Sequence, residues 1–382
     1  MSAEPDPCRE GDPDPDADAD LRPSPGVSQP DPSPLKPHRR RPRYPGRNPR
    51  RFEDKYKEHD PERHAEVIAK VVASGKTPAG THRPILVAEV LEVLAVCPGE
   101  RFVDGTLGYG GHARAILGRL APGGHLLGLD ADPVELPKTE RRLREAGFGP
   151  DVFTAVRSNF AGLPQALAQH GWVGVDGVLV DLGVSSMQLD DPARGFTAKF
   201  EGPLDMRMNP GRGQSAAAYL ASVKPGELER ILDEYSDEPR ARFLGGALAG
   251  RRLGSTRELA EAIRTVLGNG PREEVEATVR RVFQALRIAV NDEFSALETL
   301  LRHLPGCLNP GGRVAVLTFH SGEDRRVKHA FAAGLASGVY SAVADEVIRP
   351  GPEERRSNSR SSSAKLRWAM RAPASGGGEG WG

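Results

Sequence analysis

The chain lacks the features that mark secreted, metal-bound and membrane-spanning proteins. Its 382 residues include three cysteines, Cys8, Cys97 and Cys307, which lie far apart and show no metal-ligand spacing. The amino terminus has no apolar segment typical of a signal peptide, and no apolar run approaches the ~18 residues of a membrane helix. We therefore expect a cytoplasmic protein with no disulfide framework, no metal site and no membrane partner.

Net charge is zero, with 52 basic and 52 acidic residues, but the charges are segregated near the amino terminus. Residues 1–20 contain eight acids and one arginine, whereas residues 36–51 contain eight basic residues and no acid. This pattern predicts a disordered extension over residues 1–78. Its basic part is either a solvated linker or an arm that contacts RNA phosphates.

From about residue 80, apolar runs alternate with segments of helical periodicity. Strands are predicted near 101–104, 125–130, 152–157, 175–181 and 312–319. Helices are predicted near 84–95, 111–120, 133–146, 161–170 and 323–333. Such alternation is typical of an α/β fold in which a mostly parallel sheet carries helices on both faces.

The alternation stops after residue 190, where helix follows helix over 215–268 and a longer helical pattern covers 279–304. A basic Ser/Arg loop then precedes a final strand. We therefore divide the chain into an extension, a core interrupted by a mainly helical insertion, and a flexible tail. The predicted bounds are 1–78, 79–190, 191–278 (the insertion), 279–372 and 373–382.

A glycine-rich turn follows the first predicted strand in "FVDGTLGYGGHARAIL", residues 102–117. It lacks the Gly-Lys-Ser/Thr of a P-loop, and Gly108, Gly110 and Ala113 match the dinucleotide pattern G-x-G-x-x-G only in part. Asp130 ends the next strand, where a carboxylate either binds ribose hydroxyls or caps a helix. The turn alone fits a nicotinamide dinucleotide or S-adenosylmethionine, with an anionic end at the helix N-terminus.

Three later strands also end in candidate functional residues. Phe160 follows the third strand, where an apolar side chain can flank an adenine. Asp181 ends a buried strand and either enters the cleft or caps a turn. His320 ends the last parallel strand and is either a proton relay or a structural histidine.

Several motifs together resemble the RsmH (MraW) family of bacterial methyltransferases, and the resemblance covers roughly residues 80–371. The motifs are "HRPILVAEVLEVL", "VDGTLGYGGHARAIL", "DGVLVDLGVSSMQLDDPARGF", "GPLDMRMNPGRGQSAAAYL", "FQALRIAVNDE", "GGRVAVLTFHSGEDR" and "SNSRSSSAKLR". Of these, "DLGVSS" with "GPLDMRM" is the most specific. The resemblance implies a Rossmann-like fold and S-adenosylmethionine-dependent N4-methylation of a cytidine in the decoding region of 16S ribosomal RNA. The implied partner is the small ribosomal subunit rather than DNA.

The resemblance also implies the cofactor site. Gly110, Gly111 and His112 would contact the methionine part, Asp130 the ribose and Phe160 the adenine. Asp181 and Gln188 would complete the pocket. Three segments depart from the family pattern: Gly322 replaces a leucine, "YSDE" (235–238) replaces Tyr-Gly-Glu-Glu, and "ATVRR" (277–281) replaces His-Pro-Ala-Thr-Arg.

The expected chemistry is methyl transfer to an exocyclic amine, which requires a positioned base and a proton acceptor. The candidate acceptors are Asp181 and the Ser185–Ser186 turn, with His320 as a relay. Methylation at cytosine C5 is disfavoured because no cysteine lies in a predicted cleft loop. Two alternatives remain: a nicotinamide oxidoreductase, and a ribosome-assembly or RNA-binding factor with little catalytic activity.

Overall fold

The computed structural model describes residues 84–374 as a seven-stranded sheet with helices on both faces. The strand order is β3-β2-β1-β4-β5-β7-β6, and only β7 runs antiparallel to its neighbours. The strands are β1 (Arg101–Asp104), β2 (His125–Asp130), β3 (Phe153–Arg157), β4 (Val175–Asp181), β5 (Leu308–Thr318), β6 (Tyr340–Val343) and β7 (Lys365–Arg371).

The helices of the core fill both sides of this sheet. On one side α1 (Val87–Leu94), α2 (Gly111–Leu120) and α3 (Glu135–Glu145) pack in one apolar cluster with Phe102 and Leu126. On the other side lie α4 (Leu163–Gln169), α11 (Glu293–Cys307) and α12 (Ser321–Ala336). The central strand β4 is buried along almost its whole length, because both of its faces are covered.

The sheet reverses its order between β1 and β4. The chain runs outward from β1 through β2 to β3, then returns to the other side of β1 to form β4. In an open parallel sheet such a reversal opens a crevice at the carboxyl ends of the strands. The glycine turn after β1 and Asp181 at the end of β4 therefore meet at one edge.

A helical unit interrupts the sheet between β4 and β5. It begins after the short α5 (Ser186–Asp190) and comprises α6 (Ala216–Ser222), α7 (Pro225–Ser236), α8 (Ala241–Leu248), α9 (Thr256–Leu267) and α10 (Arg272–Asn291). These helices share an apolar core of their own. The boundary predicted at residue 278 falls inside α10, whose Val279, Val282 and Phe283 belong to that core.

The single helical pattern predicted over 279–304 is wrong in one respect, because it is two helices. The chain breaks at Asp292, which has a φ of 51° in the left-handed region, and α11 starts at the next residue. The turn redirects the chain from the helical unit back to the sheet. It also places the end of α10 and the start of α11 beside the crevice.

The predicted fold class is confirmed, and each predicted strand is present within a few residues of its predicted bounds. The predicted final strand is β7, whereas the edge strand β6 and the short helix α13 (Pro352–Ser357) were not predicted. The extension 1–78 and nearly all of the tail 373–382 lie outside the described residues. Between residues 84 and 374, no helix is both long and apolar enough to cross a bilayer.

Candidate active site

A cavity of about 400 Å³ lies at the carboxyl ends of the strands. This size falls within the range of small-molecule sites. All seven residues predicted to bind the cofactor line the cavity: Gly110, Gly111, His112, Asp130, Phe160, Asp181 and Gln188. The structure thus brings together side chains from four strand ends and from the loop after β4.

The glycine turn exposes main-chain donors to this cavity. Gly108 and Gly110 have φ values of 48° and 83°, which favour glycine. A Cβ on Gly110 would lie 2.9 Å from Thr139 Cγ2, so the turn also packs closely on α3. Because the first N–H groups of α2 have no carbonyl one turn earlier, those of Gly111 and His112 are available to an anion.

Asp130 stabilises the glycine turn rather than capping a helix. Its two carboxylate oxygens accept hydrogen bonds of 2.8 Å from the N–H groups of Gly108 and Asp132. Burial raises the pKa of Asp130 to about 6, although these two hydrogen bonds oppose the shift. The capping role belongs to Asp132, whose Oδ1 accepts a 2.8 Å hydrogen bond from Val134 N at the start of α3.

Asp181 is the least satisfied acid at the cavity. Its main-chain N–H donates to Thr106 Oγ1, but its side-chain Oδ1 is buried and has no hydrogen-bond partner among the described residues. Oδ2 lies 3.6 Å from His112 Nδ1. Burial, reinforced by the negative charge of Glu323, raises the pKa of Asp181 to about 7. A carboxylate in this state accepts a proton near neutral pH.

His320 lies behind the cavity wall and is not part of its lining. It is the N-cap of α12, where Nδ1 accepts a hydrogen bond from Glu323 N, and Nε2 lies 3.0 Å from Glu323 Oε1. Glu323 itself lines the cavity. Burial raises the pKa of Glu323, but His320 and Arg287 outweigh burial and hold it below its usual value.

Sequence reasoning missed the wall formed by α10 and α11. Arg287 donates two hydrogen bonds of 2.8 Å to the carboxylate of Glu293. Both residues line the cavity together with Asn291 and Phe294. A signal was present, because Arg287 and Asn291 stand four residues apart on one face of α10, within its largely apolar last two turns. The Ser/Arg loop also reaches the rim through Ser359, Arg360, Ser362 and Ser363.

One buried arginine joins the cofactor side of the cavity to the helical unit. Arg194 Nη1 lies 2.8 Å from Asp132 Oδ2, which also accepts a hydrogen bond from Gln188. Arg194 Nη2 donates to the carbonyls of Arg207 and Met208. Met208 lines the cavity, so this contact positions a segment of the "GPLDMRM" motif at the site.

Asn291 holds the same segment from the opposite side. Its Oδ1 accepts a 2.7 Å hydrogen bond from Met208 N, and its Nδ2 donates to Met206 O at 2.7 Å. Met206 has a φ of 62°, a left-handed conformation that a non-glycine residue adopts only when its surroundings impose it. The hydrogen bonds that Arg194 and Asn291 make with residues 206–208 supply those surroundings.

Two of the three segments that depart from the family pattern contact each other. Glu238 of "YSDE" lies 3.3 Å from both Thr278 Oγ1 and Arg281 Nη1 of "ATVRR". These two departures are therefore in contact inside the helical unit. A Cβ on Gly322 would lie 2.6 Å from Phe294 Cζ, so the phenylalanine ring fills the space beside this glycine.

Solved structures and sequence relatives resemble this chain to different degrees. The S-adenosylmethionine-dependent O-methyltransferase of Thermotoga maritima aligns over 75% of this chain and 64% of its own, at 10% identity and a TM-score of 0.35. Ribosomal RNA small subunit methyltransferase H 1 of Lachnoclostridium phytofermentans is 47% identical over 344 residues, which cover 88% of this chain and 93% of the relative.

The relative of the same name from Agathobacter rectalis is 46% identical over 346 residues, which cover 88% of this chain and 99% of the relative. The profile of the MraW methylase family matches residues 79–372, which include both parts of the core and the helical unit. This chain therefore belongs to the MraW methylase family.

Proposed function

We propose that the protein transfers a methyl group from S-adenosylmethionine to N4 of a cytidine in the decoding region of 16S ribosomal RNA. The names of its relatives support ribosomal RNA of the small subunit as the substrate. The observation that carries the chemistry is Asp181, a carboxylate at the cavity wall whose Oδ1 is buried with no hydrogen-bond partner among the described residues and whose pKa is raised to about 7.

The residues of the cavity fit S-adenosylmethionine. The free N–H groups of Gly111 and His112 suit the carboxylate of its methionine part. Asp130 keeps lone pairs beyond its two main-chain contacts, which suit the two ribose hydroxyls. Phe160 lines the cavity next to β3, where an adenine ring would stack. Gln188 acts indirectly, because its amide nitrogen donates to Asp132 at 2.8 Å.

The bound donor supplies an electrophilic methyl group on a sulfonium. Asp181 accepts a hydrogen bond from the target amine, which positions the nitrogen for attack on the methyl group, and then takes the proton that the nitrogen loses. Cytosine fits this arrangement because its exocyclic N4 group is a donor, as a carboxylate requires. Uracil has an acceptor at the same position and would face Asp181 unfavourably.

Methylation at C5 would need a cysteine nucleophile at the cavity. Cys97 is exposed in the loop before β1, and Cys307 is buried at the end of α11. Among residues 84–374, neither of these cysteines lines the cavity. The cavity lining therefore favours an exocyclic amine as the methyl acceptor.

His320 contributes through Glu323 in this proposal. By capping α12 and pairing with Glu323, it holds that carboxylate ionised close to Asp181. The like charge raises the proton affinity of Asp181, since two neighbouring carboxylates resist ionising together. His320 thus adjusts the proton acceptor without reaching the substrate.

The helical unit, predicted over 191–278, is the RNA-binding part of the proposal. The target base must be unstacked to enter the cavity, which is least costly in single-stranded or looped RNA. Arg360 and the exposed serines Ser359, Ser362 and Ser363 line the rim of the cavity, and Arg212 is exposed in the loop before α6. These groups suit phosphate and ribose oxygens.

Asp181→Asn tests the proposal, with Asp176→Asn as its matched control. Both acids lie on β4, but Asp176 is at the opposite end, where it binds Arg101 N and Asn309. The assay measures transfer of labelled methyl groups from S-adenosylmethionine to small ribosomal subunits. We expect Asp181→Asn to lower the rate by at least about a hundredfold and Asp176→Asn to retain most of it.

Cofactor affinity is measured in parallel by isothermal titration calorimetry. Asp181→Asn should bind S-adenosylmethionine with an affinity within a few-fold of the parent protein. An Asp181→Asn protein with full methyl transfer would contradict the assignment of Asp181 as the proton acceptor.

A further inference from the structure

Two hydrogen-bond acceptors, a buried histidine nitrogen and an oxygen of a partly exposed carboxylate, face each other at the cavity. His112 Nε2 lies 2.9 Å from the main-chain oxygen of Ile85. Because a carbonyl oxygen only accepts hydrogen bonds, Nε2 carries the hydrogen, and Nδ1 of the neutral ring is left with a lone pair. That lone pair faces Asp181 Oδ2 at 3.6 Å, and an ionised carboxylate also only accepts hydrogen bonds.

Neither acceptor has another hydrogen-bond donor among the described residues. The His112 side chain is 6% exposed and the Asp181 side chain 20% exposed, and the Oδ1 oxygen of Asp181 is buried. Two facing lone pairs repel each other, whereas one proton placed between them converts the repulsion into a hydrogen bond. The arrangement therefore favours a single shared proton.

We propose that His112 and Asp181 form a proton-sharing pair, in which His112 is a positioning residue that stabilises the proton Asp181 takes from the target amine. This inference rests on the proposed methyl transfer. It gives His112 a role that contact with the methionine part of the cofactor does not provide.

The proton count of the reaction fits such a pair. The nitrogen that gains a methyl group from a sulfonium must lose one proton, because the bonding electrons of the broken carbon–sulfur bond leave with the sulfur. Asp181 takes this proton, and its new O–H group donates to His112 Nδ1. The pair changes from a charge of −1 to zero and releases the proton to solvent before the next reaction.

The charged groups that surround the pair come from several elements. Asp104 on β1 faces both His112 and Asp181, and Asp130 on β2 lies close to Asp104. Glu354 on α13 faces His112, and Glu323 on α12 faces Asp181. These acids favour the protonated pair. Burial lowers the pKa of His112 although Asp104 opposes the shift, which keeps the ring neutral and its Nδ1 lone pair available.

Two substitutions of His112 separate the sharing of a proton from a merely structural role. His112→Gln retains a donor that can reach Ile85 O but removes the acceptor that faces Asp181. His112→Asn places an amide oxygen near the position of Nδ1, so it retains an acceptor for Asp181 while losing the contact with Ile85. The two variants therefore keep opposite halves of the histidine.

The experiment measures single-turnover methyl transfer to small ribosomal subunits with both substrates saturating. The pH runs from about 5.5 to about 9, roughly the range in which the His112–Asp181 pair gains or loses its proton. The wild-type rate should rise with pH as the pair loses its shared proton. In His112→Gln this rise should move to lower pH, because protonated Asp181 has lost its acceptor, and the plateau should fall by at least about tenfold. His112→Asn should keep the rise near its wild-type position.

A pH profile of His112→Gln that coincides with that of the wild type would overturn the proposal, as would identical effects of the two variants. Affinity for S-adenosylmethionine, measured separately, shows whether either variant acts only through cofactor binding. If the wild-type protein transfers no methyl group to small subunits, the proposed function fails on its own.

A measurement independent of activity tests the pair itself. In ¹⁵N-histidine NMR spectra of the full chain, Asp181→Asn should shift the Nδ1 resonance of His112 and leave its Nε2 protonated. An Nδ1 resonance that does not respond to Asp181→Asn would show that no proton is shared.

Discussion

Arg194→Ala should destabilise the protein more than the same substitution at a surface arginine. Arg194 is 12% exposed and its partner Asp132 is 1% exposed. Burial raises the pKa of Asp132, but hydrogen bonds from Arg194 and Gln188 outweigh burial and hold it below its usual value. Without Arg194 the Asp132 carboxylate stays buried with one charged partner fewer.

The magnitude follows from what remains around Asp132. Removing one member of a buried ion pair costs about 3–5 kcal/mol when the other charge is left uncompensated. Asp132 retains hydrogen bonds from Val134 N and Gln188 Nε2, so the lower end applies. We expect the free energy of unfolding to fall by about 3 kcal/mol, with part of the loss coming from the freed 207–208 carbonyls.

The assay is urea unfolding of the full-length chain, followed by circular dichroism. Arg230→Ala is the matched control, because Arg230 and its partner Glu234 are each about half exposed and one helical turn apart. Such surface pairs contribute at most about 1 kcal/mol. A double-mutant cycle with Asp132→Asn isolates the Arg194 contact from other effects of each substitution.

A free energy of unfolding for Arg194→Ala within about 1 kcal/mol of the wild-type value would refute this reasoning, since it would place Arg194 among ordinary surface arginines. Methyl transfer by Arg194→Ala should also be slower under stabilising conditions, because the hydrogen bond from Arg194 to the Met208 carbonyl is lost.

Two further predictions concern the glycine turn and the buried acids. Gly110→Ala should lower the free energy of unfolding by about 1–2 kcal/mol, because Gly110 has a left-handed φ. Gly118→Ala should be neutral or stabilising, because a Cβ at that position in α2 meets open space. Urea unfolding midpoints that do not separate the two variants would contradict this. Burial raises the pKa of Asp104 to about 6 and that of Asp181 to about 7. The folded state therefore binds a proton at each carboxylate more tightly than the unfolded state does. The free energy of unfolding should fall as pH rises from about 4 to about 7. Thermal unfolding should therefore show a higher melting temperature for Asp181→Asn than for the wild type near pH 8, and nearly equal values near pH 4.

The strands of the core were predictable because parallel strands covered on both faces are continuous apolar runs. β4 and β2 have the predicted bounds for this reason. β6 was missed because "YSAV" is a four-residue edge strand, half of whose residues are polar or small, and it is recognisable only through its pairing with β7. The break at Asp292 was missed because no glycine or proline marks it.

The strand-end residues of the site were predictable from topology, since all parallel strands of a sheet present their carboxyl ends at one edge. Asp130 and Asp181 belong to this class. Arg194 and Asp132 are 62 positions apart in the sequence, and no local sequence pattern predicts their contact. The proton-relay role of His320 remains a prediction. Its role as the N-cap of α12 could not be predicted from the apolar pattern of the preceding strand.

The identity of the methylated nucleoside decides whether the protein is a cytidine N4-methyltransferase. Small ribosomal subunits from a strain that lacks this gene would be incubated with the protein and labelled S-adenosylmethionine, and the 16S ribosomal RNA would be digested and analysed by mass spectrometry. The account predicts labelled N4-methylcytidine, absent when Asp181→Asn replaces the wild type. Cofactor binding without any labelled nucleoside would contradict it and favour a ribosome-assembly factor, and a label on C5 or on another base would contradict the proposed role of Asp181.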